Sequence, residues 1–169
     1  MSLVPPFTKQ TAHEKVKLPN PECLNLNHND AHDQNPLSVT RDPSQVIKAY
    51  TPTSTWRNRT TFLSGHADIQ RFLTEKWQCE IDYRLRKELF AFMDNRIAVQ
   101  FWYEYRDRDD RLKWKRCYGL EHWVFDEGGL MTERRMSGND GMVEDGGRWF
   151  EDGVGVEDVD LPALEKSDW

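Results

Sequence analysis

No purely apolar run in this chain is longer than the five residues 89–93, whereas a membrane-spanning helix needs roughly 18–20. A membrane partner is therefore not expected. Cysteine is equally sparse: Cys23, Cys79 and Cys117 form no spaced framework, and their odd number suits a reducing compartment better than a disulfide scaffold. The opening residues, MSLVPPF, have no basic n-region followed by an apolar h-region, so no secretory signal is expected and the predicted location is cytoplasmic. Also missing are a Gly-rich phosphate loop, a GxSxG elbow and a convincing Cys–His nucleophile arrangement. Hydrolase and nucleotide-binding chemistry lack support, and no cofactor is expected.

No long basic block is present either. Residues 138–169 hold ten of the 29 acidic residues against only Arg148 and Lys166, a net charge of −8, while the remaining 137 residues carry +2. An acidic tail repels phosphates, so a nucleic-acid partner is not expected.

What the chain does have is aromatic bulk. Only 37% of its 169 residues are hydrophobic and 31% are charged, with a mean hydropathy of −0.84. Twenty residues are Phe, Trp or Tyr, and each can bury on the order of 150–250 Å². One domain with one compact core follows.

Thr8 opens a short helical pattern carried by Ala12 and Val16 and stopped by Pro19 and Pro21. Residues 18–40 lack a sustained period and read as a mobile loop. Asp42, Pro43 and Gln45 stand where an N-cap, an N1 proline and a capping-box partner belong, predicting a short helix to about Tyr50. Residues 53–59 read as a strand with Trp56 and Asn58 on one face and Thr55, Arg57 and Arg59 on the other. Ser64 and Gly65 punctuate, and Ile69, Phe72, Leu73 and Trp77 mark a second helix. Beyond Ile81 the period becomes two. Strands are predicted over 83–93, 96–106, 112–125 and 130–137, with short connections that imply an antiparallel meander.

Helices followed by a curled sheet make an α+β pattern: a few helices packed on one face of a bent antiparallel sheet enclose a cone open at its mouth. The strand 97–105 carries Ile97, Val99, Phe101, Tyr103 and Tyr105 on one face and Ala98 and Trp102 on the other. A strand apolar on both faces needs cover on each, which predicts a homodimer through the outer sheet face.

These residues carry a resemblance. WRNR at 56–59, the helix ending in Lys76-Trp77, KELFAFMDNRIAVQFWYEY at 87–105, RCYGLEHWVFDEGGLM at 116–131 and MSGND at 136–140 together resemble the uncharacterised SnoaL-like family catalogued as domain of unknown function 1348, in the nuclear transport factor 2 superfamily. The likeness spans about residues 6–17 and 41–140, and the RWFEDGV run of the tail is similar to fungal-type members. It implies the helix-backed cone fold, a dimer and a small-molecule cavity. The chain then divides into an N-terminal arm with a truncated first helix (1–17), an atypical insert (18–40), a cone domain (41–140) and an acidic tail (141–169). The insert departs from the family, either as a genuine insertion or through a mis-assigned exon boundary, and it leaves one side of the pocket open or distorted.

Cys23, His28, Asp30, His32 and Asp33 in the insert invite a metal reading, but the segment lacks the periodicity and apolar anchors that fixed ligands need, so no metal is expected. Superfamily relatives that isomerise ketosteroids or cyclise polyketides use a cavity carboxylate. By that resemblance Glu104 and Glu121 are the acid–base candidates, since a carboxylate among Trp102, Tyr118 and Trp123 loses hydration and rises in pKa. Their alternative role is a buried Glu–Arg pair holding strands in register. Arg57, Arg59, Arg116, Asn139 and Asp140 are the polar pocket or orienting positions, and Trp56, Asn58, Trp77, Trp102, Tyr118 and Trp123 complete the set. Alternation places Glu121 and Arg116 on opposite faces. Two functions remain open: a small-molecule-binding domain, as an enzyme a cofactor-free isomerase or cyclase acting on a hydrophobic or enolisable substrate, or a non-catalytic dimeric binding module.

Overall fold

The computed structural model describes residues 3–18 and 41–161. The metal alternative and the mobility expected of 19–40 and of the tail beyond Leu161 concern residues outside that range. Helix α1, Lys9–Lys17, starts at a reciprocal cap: Thr8 Oγ1 accepts from the Thr11 amide at 3.2 Å, and Thr11 Oγ1 accepts from the Thr8 amide at 2.9 Å. It ends at Leu18, whose amide bonds the Glu14 carbonyl. Helix α2, Pro43–Val46, begins as its residues predict, with Asp42 accepting from the Ser44 amide at 2.8 Å. Gln45 turns its side chain to Lys48, and a single 3₁₀ turn then leads into strand β1, Tyr50–Asn58.

A short strand β2, Thr61–Ser64, folds back on β1, and helix α3, Gly65–Cys79, follows. Strands β3 (Glu80–Met93), β4 (Arg96–Asp107), β5 (Lys113–Phe125) and β6 (Met131–Met142) form the antiparallel meander. The sheet as a whole is mixed, in the order β2-β1-β6-β5-β4-β3, because β1 pairs with β6 in parallel. A purely antiparallel sheet is the expectation from sequence; β2, α3 and strands β3–β5 lie between β1 and β6, long enough for the crossover that a parallel pair requires. Two register shifts bend β3, one between Ile81 and Arg84, where Asp82 has φ +53°, and one between Leu89 and Ala91. Such bulges increase local twist and curvature.

β6 runs five residues past its expected end at Ser137. Asn139 and Asp140 stand opposite Tyr118 and Cys117 on β5, so ladder hydrogen bonds override the turn preference of the Gly-Asn-Asp-Gly stretch.

Alternation gives the sheet two unlike faces. The inner face receives Ile69, Leu73 and Trp77 of α3 and Ala12 and Val16 of α1, packed with Trp56, Ile97, Val99, Trp123 and Phe125 in the main core. Towards its other end Phe101, Tyr103, Tyr105, Cys117 and Met136 form a second cluster. On the outer face Trp102 is covered by Trp149, Phe150 and Leu161. Cover for this apolar position comes from the chain's own C-terminal segment.

One inner-face contact depends on the absence of a side chain. Gly119 and Gly138 are cross-strand partners, and a Cβ at Gly119 would lie 2.0 Å from Cζ of Phe101. The Phe101 ring, 1% exposed, lies across that glycine. Gly119→Ala is expected to destabilise the fold by about 1–3 kcal/mol as the ring is displaced, read as a lowered midpoint in urea; an unchanged midpoint would contradict this packing.

Candidate functional site

A polar constellation on the inner face is built by three strands of the meander and finished by β1. Glu121 of β5 is 4% exposed and accepts from Arg134 of β6, at 2.5 Å on Oε1 and 3.3 Å on Oε2. The indole Nε1 of Trp123, two residues along the same face, donates to Oε2 at 2.6 Å. Lys87 of β3 brings its ammonium to 3.7 Å from the same oxygen and to 4.9 Å from the Trp123 ring centre. The Arg134 guanidinium lies 4.5 Å over the ring of Trp56 on β1. Trp56 is 2% exposed, and its Nε1 has no hydrogen-bond acceptor among the described residues.

The charge environment of Glu121 decides its chemistry. Burial pushes its carboxyl pKa upward, as desolvation should, but Arg134 and Lys87 outweigh it and, with the hydrogen bonds from Arg134 and Trp123, hold the pKa down at about 2. The carboxylate is ionised and occupied. A general base near neutral pH needs the opposite shift.

Glu104, the other acid–base candidate, lies on the outer face and is fully buried. Its Oε1 accepts from Arg116 Nε at 2.9 Å, from Arg116 Nη2 at 2.7 Å and from the Trp149 amide at 2.9 Å, and its Oε2 accepts from the Phe150 amide at 3.1 Å. Trp102 and Tyr118 share this face, where the Tyr118 hydroxyl accepts from Arg116 and its ring meets Trp149 edge-on. Glu104 and Glu121 therefore belong to two separate sites.

The remaining sequence candidates divide in the same way. Asn58 and Trp77 are buried on the inner side. Arg57 and Arg59 do not share a face: Arg59 lies beyond β1 in the turn to β2 with φ +55°, which swings its guanidinium over the inner face. There it donates to the Gly138 carbonyl, to Asp140 at 2.7 Å and to Cys117 Sγ at 3.2 Å. Arg57 stays on the outer face and donates to the Arg59 carbonyl and to Ser137. Asn139 is outward beside Tyr118, whereas Asp140 is inward beside Cys117. Burial, followed by the nearby Asp140 charge, pushes the Cys117 thiol up to about 12, so it is no nucleophile at neutral pH.

Lys87 and Arg134 were not singled out from the sequence. Each is one charge among many in its strand; the available signal is inward parity, since Arg134 stands opposite Trp123 and Lys87 opposite Phe101.

Residues 5–151 match the profile of the family described as protein of unknown function, DUF1348. The chain belongs to this family. No curated protein matches the DUF1348 chain. Among solved structures it is similar to the epoxide hydrolase/cyclase-like enzyme SalBIII, described in pyran ring formation in polyether salinomycin, with a TM-score of 0.54 and 14% identity over 60% of this chain and 84% of that one. It is also similar to a putative SnoaL-like polyketide cyclase from Shewanella denitrificans OS-217, with a TM-score of 0.52 and 17% identity over 58% of this chain and 79% of that one. A third neighbour, an NTF2-like protein of unknown function from Exiguobacterium sp. 255-15, has a TM-score of 0.51 and 8% identity over 57% and 81% of the two chains. These likenesses establish the NTF2-like α+β cone fold for this DUF1348 member.

Because the Glu121 pKa is depressed in the fold, its contribution to stability is complete above the ordinary value of 4.5 and is lost as pH falls from there towards about 2. Glu121→Gln leaves Arg134 and Lys87 buried around a neutral amide and is expected to cost about 3–5 kcal/mol. Urea titrations across this acid range should show a shallower pH dependence in the variant than in the parent. Equal slopes would contradict the ionised pair.

Proposed function

We propose that this DUF1348 domain binds a small molecule on the inner face of its sheet, at the wall formed by Trp56, Trp123 and the Glu121–Arg134 pair. In this reading Glu121 is a fixed anion that orients Arg134, and the site binds its ligand without using Glu121 or Glu104 to transfer protons. The carrying observation is the Trp56 indole N–H, buried with no acceptor among the described residues. A buried donor left unpaired costs about 1–3 kcal/mol, which a ligand oxygen accepting from Nε1 would recover. The ligand chemistry that suits this wall is an apolar or aromatic body bearing a carbonyl or carboxylate oxygen. The names of two structural neighbours, a cyclase-like enzyme and a putative polyketide cyclase, are compatible with such ligands. The test is mass spectrometry of whatever leaves the protein on denaturation after gentle purification from its native host. An oxygen-bearing apolar compound is expected with the parent, at an occupancy about tenfold lower in Trp56→Phe, which keeps a ring and loses the donor. Equal occupancy in the two proteins, or an empty parent, would defeat the reading.

A second reading, the dimeric module, is favoured by what the C-terminal segment leaves uncovered. Leu120 is 52% exposed on the outer face and Phe62 76% exposed, beside a depression of about 330 Å³ lined by Thr55, Arg57, Phe62, Glu133 and Arg135 together with Trp56 and Arg134. Light scattering at micromolar concentration decides this one: a homodimer is expected, and a stable monomer excludes it.

A further inference from the structure

An acidic tail on a mildly basic body suggests docking through carboxylates, and Glu157 does accept from Lys17 at 2.7 Å, but most of the contacts are to the segment's main chain. Arg84 donates to the carbonyls of Phe150, Glu151 and Val154. Arg86 donates to those of Val156, Glu157 and Val159. Glu104 takes the amides of Trp149 and Phe150, and Arg116 stacks 3.8 Å from the Trp149 ring centre. Trp149, Phe150 and Leu161 then fill the apolar surface of Trp102 and Tyr118. The groove reads a length of backbone plus two adjacent aromatic rings.

The link to this segment is slight. Residues 144–147 are exposed, the turn is closed by the Gly147 amide on the Glu144 carbonyl at 2.9 Å, and Gly146 has φ +78° with nothing near its missing side chain. Opening that turn, with release of the Gly147 carbonyl from Arg116 Nη2, frees the segment without removing a strand from the sheet, and exchange of an identical element between chains is a low-cost route to a dimer.

We infer that the outer-face groove over β3, β4 and β5 is a peptide-docking site for the segment 148–161, filled here by the chain's own copy and exchangeable with that of a second molecule. The tether keeps the local concentration of the chain's own segment in the millimolar range, so exchange is a minor population that must be trapped. Arg84→Cys and Glu151→Cys are made in separate full-length chains in which Cys23 and Cys79 are serine, and the two are mixed with a short bis-maleimide crosslinker. Both substitutions in one chain provide the control, since that protein should close an internal crosslink. The mixed single variants are expected to give a species of twice the chain mass whose yield rises with protein concentration. No such product at any concentration, with the internal crosslink forming readily, overturns the inference. So does a dimer that is trapped through Leu120→Cys on both chains and never through the 84–151 pair, which would leave sheet pairing intact. A second readout does not need cysteine variants: a fluorescein-labelled peptide of residues 147–161 is titrated onto the full chain carrying W149A and F150A. Its anisotropy should rise at concentrations about tenfold lower than with the parent, whose groove is occupied; no rise with either protein also overturns it.

Discussion

Successive side chains of a strand point to opposite faces, and on β5 this constraint separates two buried ion pairs that would otherwise compete for one site. Arg116 is outward with Glu104 of β4, and Glu121 is inward with Arg134 of β6. Each carboxylate is nearly or wholly removed from water, and each is held by a guanidinium plus at least one further N–H donor. Buried pairs of this kind contribute little net stability, but breaking one leaves an uncompensated charge. Each spans a pair of neighbouring strands, and both candidate sites are arranged around them.

The two pairs differ in their surroundings. Around Glu121 the additional partners are side chains of the sheet, Lys87 and Trp123, so the constellation is complete once the meander has formed. Around Glu104 the additional partners are main-chain amides of the segment after β6. The outer constellation is finished only when that segment docks. The same segment shields Trp102, whose outward position would otherwise need a second chain. Leu120 and Phe62 stay exposed on that face.

Much of the fold was legible in order and period. The Thr8 cap, the Asp42-Pro43 start, the Ile69–Leu73–Trp77 stripe and the change to period two after Ile81 each rest on local chemistry, and the structure places elements at all of them. Alternation also correctly separated Glu121 from Arg116. Extrapolated into the turn after β1, it misplaced Arg59: the left-handed conformation there ends the period-two geometry, so the parity of Arg57 says nothing about its neighbour. The strand predicted to end at Ser137 continues through the Gly-Asn-Asp-Gly stretch because the pairing that extends it comes from residues about twenty positions earlier in the chain.

By itself, then, the sequence determined the three helix starts, the meander and the alternation along its strands, though not the short β2, because these follow from contacts among near neighbours and from the geometry of the peptide unit. Only the tertiary structure decided that β1 joins β6 in parallel, that Lys87 and Arg134 meet at Glu121 and hold its carboxyl low, and that the C-terminal segment supplies the amides at Glu104. Each of these depends on which distant residues share a small volume with water excluded. In such a volume the sign of a pKa shift is set by the neighbouring charges as much as by burial, and those neighbours come from strands far apart in the chain.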